Sequence, residues 1–254
     1  MAIIVKNNEQ IELLRESNHI VARTHELLKK YIRAGVTTKE LDVIAEDYIR
    51  SQGAVPSFKG YKDGQSVGFP GSICVSVNEE VIHGIPGLKK LKDGDIVSID
   101  IGALKNGYHG DAARTFKVGM VSDIRNRLIE VTSSCFFEAI KYARAGRHLH
   151  EICAAVQDTA EAGGFSVVRE FVGHGVGRQM HEEPQIPNYK QAGRGSRLFK
   201  GMTLAIEPMV NEGGCEVVIL KDHWTVVTKD RKCSAHYENT IAVTDGDADI
   251  LSIC

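Results

Sequence analysis

The sequence predicts an α+β domain in which one unit of helix, turn, helix and strands occurs twice. The main observation is a repeat: Arg33-Ala-Gly35 recurs as Arg144-Ala-Gly146, each time between two stretches with helical periodicity. Gly53 and Gly164 follow the two tripeptides at the same offset. The second observation is a long β-hairpin at the end of the first unit. Two copies of helix, turn, helix and strands suggest a duplicated α/β unit.

Length and composition agree with one soluble domain. The chain has 254 residues and a net charge of −2, with no low-complexity linker, so we expect a single catalytic domain over residues 1–254. Its pseudo-repeats would span about 1–120 and 121–254. The small net charge predicts no bulk attraction to nucleic acid, and no stretch is apolar for long enough to span a membrane.

Cysteine usage indicates a reducing compartment. The six cysteines are scattered without a C-x-x-C pair, which is typical of reduced thiols rather than of a disulfide framework. The N-terminal segment lacks the basic and apolar regions of a signal peptide. We therefore expect a cytoplasmic protein, and a monomer by default.

Helices are predicted in each half. Apolar residues from Asn7 to Ala34 follow a helical period, and Gly35 is a plausible stop. Thr37-Thr-Lys-Glu40 is a capping box that opens a second helix, with Gly53 after it. The second half repeats the arrangement with helical stretches over 123–143 and 149–162.

The hairpin is the most informative segment. Asn106-Gly107 is the strongest short hairpin signal, because a type I′ turn needs positive φ at both central residues. A two-residue loop pairs Lys105 with Tyr108 and puts Asp100 and Asp111 on the same face, one diagonal apart. A three-residue loop would instead put the two carboxylates on opposite faces.

Two carboxylates that converge inside a sheet repel each other, so one must take up a proton or a cation must lie between them. Ile99 and Ile101 flank Asp100, which predicts a buried strand. The alternative is a hairpin whose aspartates face water, because antiparallel sheets often have one solvated face.

Three further segments favour a metal site. His174 and His181 lie in a glycine-rich turn after the β-like run 165–171, and imidazole is the commonest metal ligand. Glu207 occurs in an otherwise apolar strand-like segment that ends at a proline, and Glu238 occurs in a similar segment near the C-terminus. Acidic residues are rarely buried without a partner. Four carboxylates with one histidine and no thiolate suit Mn, Fe, Co or Zn. They also balance the charge of two divalent ions, which shared carboxylates hold about 3.5–4 Å apart in two-metal hydrolases.

These motifs together resemble the pita-bread metallopeptidases, and in particular the type I methionine aminopeptidases. The resemblance covers essentially the whole chain. It is carried by Val-Asn-Glu-Glu-Val-Ile-His-Gly-Ile-Pro at 77–86, Ile-Asp-Ile-Gly-Ala at 99–103, Gly-Asp-Ala-Ala-Arg-Thr-Phe at 110–116, Gly-His-Gly-Val-Gly at 173–177, Ile-Glu-Pro-Met-Val at 206–210 and Tyr-Glu-Asn-Thr at 237–240. It implies the pita-bread fold, with duplicated helices related by a pseudo-two-fold and packed on a curved antiparallel sheet.

The resemblance also implies an activity: removal of the N-terminal initiator methionine from nascent proteins whose second residue is small. In that family a hydroxide that bridges two metal ions attacks the scissile carbonyl. The implied metal ligands are Asp100, Asp111, His174, Glu207 and Glu238, with Asp111 and Glu238 as the bridging pair.

Catalytic roles follow from the same resemblance. Glu207 would accept the proton of the attacking water and pass it to the leaving amine. His181 would donate a hydrogen bond to the substrate carbonyl oxygen, and His83 would contact the nitrogen of the scissile bond.

By alignment with the family, five residues would line the methionine pocket: Cys74, Phe69, Met180, Trp224 and, less securely placed, Tyr61. Polarisable sulfur and aromatic edges suit a thioether side chain. Met180 stands where an aromatic residue is usual, and the loop 60–72 is longer than the family pattern. For each of these residues, ordinary core packing is the alternative.

Two other functions are weighed against this one. Xaa-Pro aminopeptidases and prolidases share the five ligands but carry an additional N-terminal domain, for which there is no room before Asp100. A non-catalytic binding module on the same fold would be expected to lose ligands, whereas all five are present here.

Finally, eight basic residues in two segments suggest a partner: Lys190, Arg194, Arg197, Lys200, Lys221, Lys229, Arg231 and Lys232. The simpler explanation is a solvated face. The alternative is docking on ribosomal RNA near the exit tunnel, since an enzyme of this kind acts on nascent chains.

Overall fold

A computed structural model of the protein describes residues 2–62, 64 and 67–254. Four α-helices and one 3₁₀ turn are found in these ranges. In chain order they are α1 (Asn8–Lys29), α2 (Thr38–Ser51), α3 (Asp123–Ala139), which runs into the 3₁₀ turn Ile140–Tyr142, and α4 (Leu149–Ala162).

Fifteen short strands complete the described secondary structure. They are β1 (Val55–Pro56), β2 (Cys74–Val77), β3 (Glu80–Ile82), β4 (Ile96–Lys105), β5 (Tyr108–Lys117), β6 (Ser166–Val167), β7 (Gly173–Gly175), β8 (Glu182–Ile186), β9 (Thr203–Ile206), β10 (Met209–Asn211), β11 (Val217–Ile219), β12 (Val226–Thr228), β13 (Ser234–His236), β14 (Asn239–Ala242) and β15 (Asp249–Ile250).

The helix predictions are largely confirmed, with two shorter ends. The capping box of α2 forms as expected, with the Thr37 side chain accepting from the Glu40 amide and Glu40 accepting from the Thr37 amide. α1 ends at Lys29, a turn before Gly35, because the next amides bond back to Leu27 and Leu28 in a tightened last turn. α3 likewise tightens into its 3₁₀ turn instead of continuing to residue 143.

The two repeated tripeptides adopt the same conformation and make the same hydrogen bonds. Gly35 and Gly146 both have φ of +90°. The Gly35 amide donates to Leu91 O at 2.8 Å, and the Gly146 amide donates to Leu198 O at 2.9 Å. Each leucine amide donates back to the turn, at 2.8 Å in both halves. The internal repeat seen in the sequence therefore has a structural counterpart at these turns.

The hairpin register is confirmed. β4 and β5 pair antiparallel over ten residues each, with Lys105 opposite Tyr108 and Asp100 opposite Ala113. Asn106 and Gly107 have φ of +51° and +78°, as a type I′ turn requires. Asp111 is opposite Gly102, so the two aspartates lie on one face of the hairpin.

The strands form four hydrogen-bonded sheets, and every ladder between the described strands is antiparallel. The hairpin belongs to a sheet with β1 and β2, and a five-stranded sheet has the order β15-β14-β9-β7-β8. The two remaining sheets have the orders β13-β10-β6 and β11-β12-β3. α1 packs on β4 and β5, and α3 packs on α4. The largest core clusters lie between helices and sheets, one in each half of the chain.

The strand that carries Glu207 was predicted to end at a proline and does end there, whereas the predicted strand around Glu238 is interrupted at that residue. β9 ends at Ile206 and β10 begins at Met209, because Pro208 has no amide hydrogen to extend the ladder. β13 ends at His236 and β14 begins at Asn239, since the Glu238 amide donates to Ala113 O of the hairpin instead. Glu207 and Glu238 thus lie at strand breaks and not within continuous strands. The β-like run 165–171 is also reduced, to the two residues of β6.

Candidate metal centre and active site

The five residues predicted as ligands meet on one side of the hairpin. Three of them, Asp111, His174 and Glu238, are buried and each offers a ligand atom within 4.8 Å of the others. Glu207 joins this group through its Oε1, which lies 3.5 Å from His174 Nε2. Asp111 Oδ2 is 3.7 Å from the same nitrogen. Asp100 is beside Asp111 on the shared hairpin face.

Local packing holds these side chains together. Asn239 of β14 pairs with Ile206 of β9 at one end of their ladder. Glu238 directly precedes Asn239 and Glu207 directly follows Ile206, so the two glutamates lie side by side at that end. Arg114 donates to the Glu238 carbonyl oxygen, and Asn188 Nδ2 donates to the Glu207 carbonyl oxygen at 3.0 Å.

His174 is brought in by a close approach of two strands. It lies on β7, where it pairs with Ala205 of β9. A Cβ on the preceding Gly173 would lie 2.4 Å from the Ala205 carbonyl oxygen, so this approach requires glycine. Nδ1 of His174 is 2.9 Å from Gly175 O, which accepts its hydrogen and leaves Nε2 facing the carboxylates.

Burial strongly perturbs the ionisation of the cluster. Removal from water raises the pKa values of Asp100 and Glu207. Burial raises the pKa of Asp111 well above its usual range, and the charge of Asp100 raises it further. The pKa of Glu238 is raised in the same way, first by burial and then by Asp111. Burial lowers the pKa of His174 to about 3, so this imidazole is neutral and can act as a ligand at neutral pH.

The cluster fits a cation. Asp100 Oδ1, Asp111 Oδ1 and Glu238 Oε1 are buried, and none has a hydrogen-bond partner among the described residues. Buried carboxylate oxygens are otherwise satisfied by hydrogen bonds or by a bound cation. Carboxylates with a neutral imidazole are the donor set of Mn, Fe, Co and Zn. These residues therefore fit a divalent metal centre.

A cavity of about 480 Å³ opens from this cluster to solvent. The five residues predicted as ligands form its floor, and the exposed Glu170, His181 and Gln185 lie on its rim. The remaining lining residues are mostly aromatic, apolar or histidine: Phe58, Tyr61, Phe69, Cys74, Ile82, His83, Phe171, Val172, Gly173 and Trp224, together with Glu182 and Glu183. A polar floor beneath an apolar wall is typical of small-ligand sites.

Both predicted catalytic histidines line this cavity. The rings of His181 and His174 are in edge contact, with centroids 4.3 Å apart. The Tyr61 hydroxyl lies 2.5 Å from His181 Nδ1. His83 has a positive φ of +57° and stands edge-on between Phe171 and Trp224. Burial lowers the pKa of His83 to about 4.

Four of the five predicted pocket residues line the cavity, and Met180 does not. Phe69, Cys74 and Trp224 form a buried cluster, with the rings of Phe69 and Trp224 5.4 Å apart. Met180 is buried against Gly102 of the hairpin, where its Cε would lie 3.1 Å from a Cβ added to that glycine. The side chain that follows it, His181, turns to the cavity instead.

The loop 60–72 lies partly outside the described residues. Its described ends are joined by hydrogen bonds between Gly60 N and Phe69 O and between Phe69 N and Tyr61 O, both 2.8 Å.

Some lining residues were missed by the sequence analysis. Phe171 and Val172 directly precede the His174 turn, and this adjacency to a ligand was the available signal. No sequence pattern indicated that Glu182 would line the cavity, because its ion-pair partner, Lys6, is far away in the sequence. The Lys6 ammonium lies 2.5 Å from Glu182 Oε2, and both side chains are 3% exposed. This buried pair ties the N-terminal segment to the turn that carries His181.

The match to a known family agrees with this geometry. The model of metallopeptidase family M24 matches residues 12–245, and the chain therefore belongs to that family. Within the family, its similarity is to the methionine aminopeptidases. Methionine aminopeptidase 1 of Bacillus subtilis is 56% identical over 250 residues, which cover 98% of this chain and 99% of the relative.

Solved structures give the same result. The methionine aminopeptidase of Thermotoga maritima superposes with a TM-score of 0.95 at 43% identity, with all of both chains covered. The prolidase of Pyrococcus furiosus superposes with a TM-score of 0.80 at 23% identity, covering 99% of this chain and 66% of that one. The prolidase likeness shows the shared fold alone, and the pita-bread α+β fold is confirmed. None of the described helices combines the length and apolar character needed to cross a membrane.

We predict that the substitution Asp111→Asn stabilises the metal-free protein and destabilises the metal-loaded protein. In metal-free protein the raised pKa of Asp111 favours its protonated form, so its contribution to stability is lost as the pH rises through that pKa. An asparagine at position 111 does not ionise, so the variant should not lose stability in this way as the pH rises. Urea unfolding in chelator at pH 8 should show the variant more stable by about 1–3 kcal/mol, as for removal of an uncompensated buried charge. The gap should shrink as the pH falls towards 4.

With excess Mn²⁺ the order should reverse, because the variant has lost a ligand. The exposed Asp47→Asn serves as the control, and its unfolding should follow the wild type in both conditions. A variant that is less stable than the wild type without metal at pH 8 would contradict the electrostatic interpretation.

Proposed function

We propose that this protein removes the N-terminal methionine from polypeptides, preferably nascent chains whose second residue is small, with divalent metal as cofactor. The observation that carries the proposal is the juxtaposition of a cation-binding carboxylate cluster with an apolar, sulfur- and aromatic-lined cavity. Membership of family M24 and the 56% identity to a methionine aminopeptidase support the same conclusion.

Asp100, Asp111, His174, Glu207 and Glu238 would hold the metal. We propose two divalent ions, drawn from Co, Mn, Fe or Zn, because four carboxylates balance the charge of two. When bound, such ions lower the pKa of water towards neutrality and polarise the scissile carbonyl.

Glu207 is proposed to move the proton. Its Oε1 and Oε2 lie 3.5 Å and 3.6 Å from His174 and His236, so the carboxylate is held at the cavity floor between two imidazoles. Burial raises the pKa of the Glu207 carboxyl in the metal-free protein, so a bound cation would be needed to keep it ionised and able to accept a proton. It would take a proton from the attacking water and deliver it to the departing amine.

His181 and His83 are proposed to bind the peptide bond under attack. With the Tyr61 hydroxyl donating to Nδ1 of His181, its Nε2 carries hydrogen and donates to the carbonyl oxygen as negative charge develops there. His83 stands between two aromatic rings on the cavity wall, where its neutral ring can accept or donate at the scissile nitrogen.

Phe69, Cys74 and Trp224 are proposed to form the methionine pocket, with Tyr61 at its entrance. Burial raises the pKa of the Cys74 thiol, so sulfur remains neutral and polarisable beside a thioether. Cys74 pairs directly with Asp100 across β2 and β4, which puts the end of the substrate side chain next to the metal cluster.

A substrate assay tests the proposal against its rivals. Metal-free protein reloaded with Mn²⁺, Co²⁺ or Fe²⁺ should release methionine from Met-Ala-Ser, and chelator should abolish the release. Ala-Pro peptides should be cleaved more slowly, because an alanine methyl group leaves most of a pocket shaped for an unbranched thioether unfilled. Faster cleavage of the proline peptide would favour an Xaa-Pro aminopeptidase. No hydrolysis with any of the ions would favour a binding module.

Substitution of His181 tests its proposed hydrogen bond. His181→Ala should lower kcat by about 10²–10³-fold with little change in KM, because the lost donor acts on charge that forms only in the transition state. Tyr61→Phe keeps the ring and should cause a smaller loss. Steady-state kinetics on Met-Ala-Ser with saturating metal would measure both, and an unchanged kcat in His181→Ala would refute the role.

We further propose that the protein works in the cytoplasm as a monomer and docks near the ribosomal exit tunnel. The eight basic residues identified in the sequence are all exposed. Three of them form ion pairs, Lys190 with Asp158, Lys200 with Asp245 and Lys229 with Glu216. Docking would therefore depend most on the others.

Charge reversal tests the docking. Arg194→Glu with Arg197→Glu should reduce co-sedimentation with ribosomes at low salt, since phosphate contacts are lost. Lys29→Glu with Lys30→Glu, at the end of α1, provides an equal change of charge elsewhere. Equal co-sedimentation of the two variants and the wild type would rule out this surface.

A further inference from the structure

His236 is a second buried imidazole at the metal cluster. It is the last residue of β13, two residues before Glu238, and it is 2% exposed. Its Nε2 has no hydrogen-bond partner among the described residues, yet it lies 3.6 Å from Glu207 Oε2. A buried imidazole nitrogen without a partner is destabilising, so its persistence beside a carboxylate requires an explanation.

The backbone of His236 is held from two sides. Its amide donates to Thr115 Oγ1 at 2.9 Å, and the Thr115 hydroxyl donates to its carbonyl oxygen at 2.8 Å. β13 also pairs with β10, which places His236 opposite Met209, two residues beyond Glu207. Backbone hydrogen bonds therefore fix the residue that carries the imidazole to both the hairpin and the segment that carries Glu207.

The geometry suits a hydrogen-bond donor better than a ligand. An imidazole that carries hydrogen on Nε2 can donate one hydrogen bond from that nitrogen. Glu207 Oε1 is directed towards His174, and its Oε2 is directed towards His236.

Resting on the proposed metal centre, we propose that His236 is a positioning residue. In the metal-bound protein its Nε2–H would close the present 3.6 Å separation and donate to Glu207 Oε2, which would orient the carboxylate for metal binding and set its proton-accepting oxygen. Hydrogen-bond partners of ligating carboxylates commonly change metal affinity about 10–100-fold when they are removed. His236 would act on metal and substrate only through Glu207.

The test compares a replacement that keeps the donor with one that removes it. His236→Gln can present an amide N–H near the position of Nε2, whereas His236→Leu has similar bulk and no donor. Calorimetric titration of metal-free protein with Mn²⁺ should show His236→Gln within about threefold of the wild type and His236→Leu about 10–100-fold weaker. Val156→Ala, in the core of α4, is the control for lost stability and should bind Mn²⁺ normally.

A second variant covers the case in which His236→Leu fails to fold. Thr115→Val removes the hydroxyl that holds the His236 backbone and should weaken Mn²⁺ binding in the same direction by a smaller factor. Equal Mn²⁺ affinity in His236→Leu and the wild type would overturn the inference. An equal loss of Mn²⁺ affinity in His236→Gln and His236→Leu would also overturn the inference, because a hydrogen-bond donor at this position would then not restore binding. If the wild type itself bound no Mn²⁺, the proposed function would fail instead.

Discussion

The constraint that dominates the site is the mutual repulsion of four carboxylates packed together, of which Asp111 and Glu238 are buried and Asp100 and Glu207 are partly buried. Each loses its hydration on folding, and each raises the energy of its neighbours' charged forms, which the raised pKa values of Asp111 and Glu238 express. Such a cluster is tolerable at neutral pH only with protons or cations among its oxygens. The orphaned oxygens of Asp100, Asp111 and Glu238 favour cations.

Holding this cluster requires a rigid frame, and two local features provide it. The long hairpin sets the two aspartates on one face, and α1 packs on its strands. The strand breaks at Glu207 and Glu238 then turn two further carboxylates towards that face. At each break the backbone is satisfied elsewhere, by Asn188 at Glu207 and by Arg114 and Ala113 at Glu238. The interruptions therefore leave these groups bonded while they redirect the side chains.

The proposed chemistry and the proposed specificity share one pair of strands. Cys74 on β2 is opposite Asp100 on β4, so the apolar pocket and the polar floor are adjacent by register. His83 and His181 lie on the wall between them, supported by Trp224 and Tyr61. A shift of one residue in this register would turn Asp100 or Cys74 to the other face of the sheet.

Much of this could be predicted from the chain alone, because it depends on local conformation. The Asn106-Gly107 turn sets the hairpin register through its own positive φ angles, and the capping box of α2 is formed by residues three apart. The chemical types of the ligands, and hence the class of metal, also follow from residue identity.

Other features were decided by packing between remote segments. Met180 packs against Gly102 of the hairpin while its neighbour His181 faces the cavity, because Gly102 leaves space for the Met180 side chain. His236 and the Lys6–Glu182 pair gain their roles from partners on other strands, which no periodicity in the sequence reveals. Local dihedral preferences act over a few residues, whereas the contacts that complete this site join segments more than a hundred residues apart.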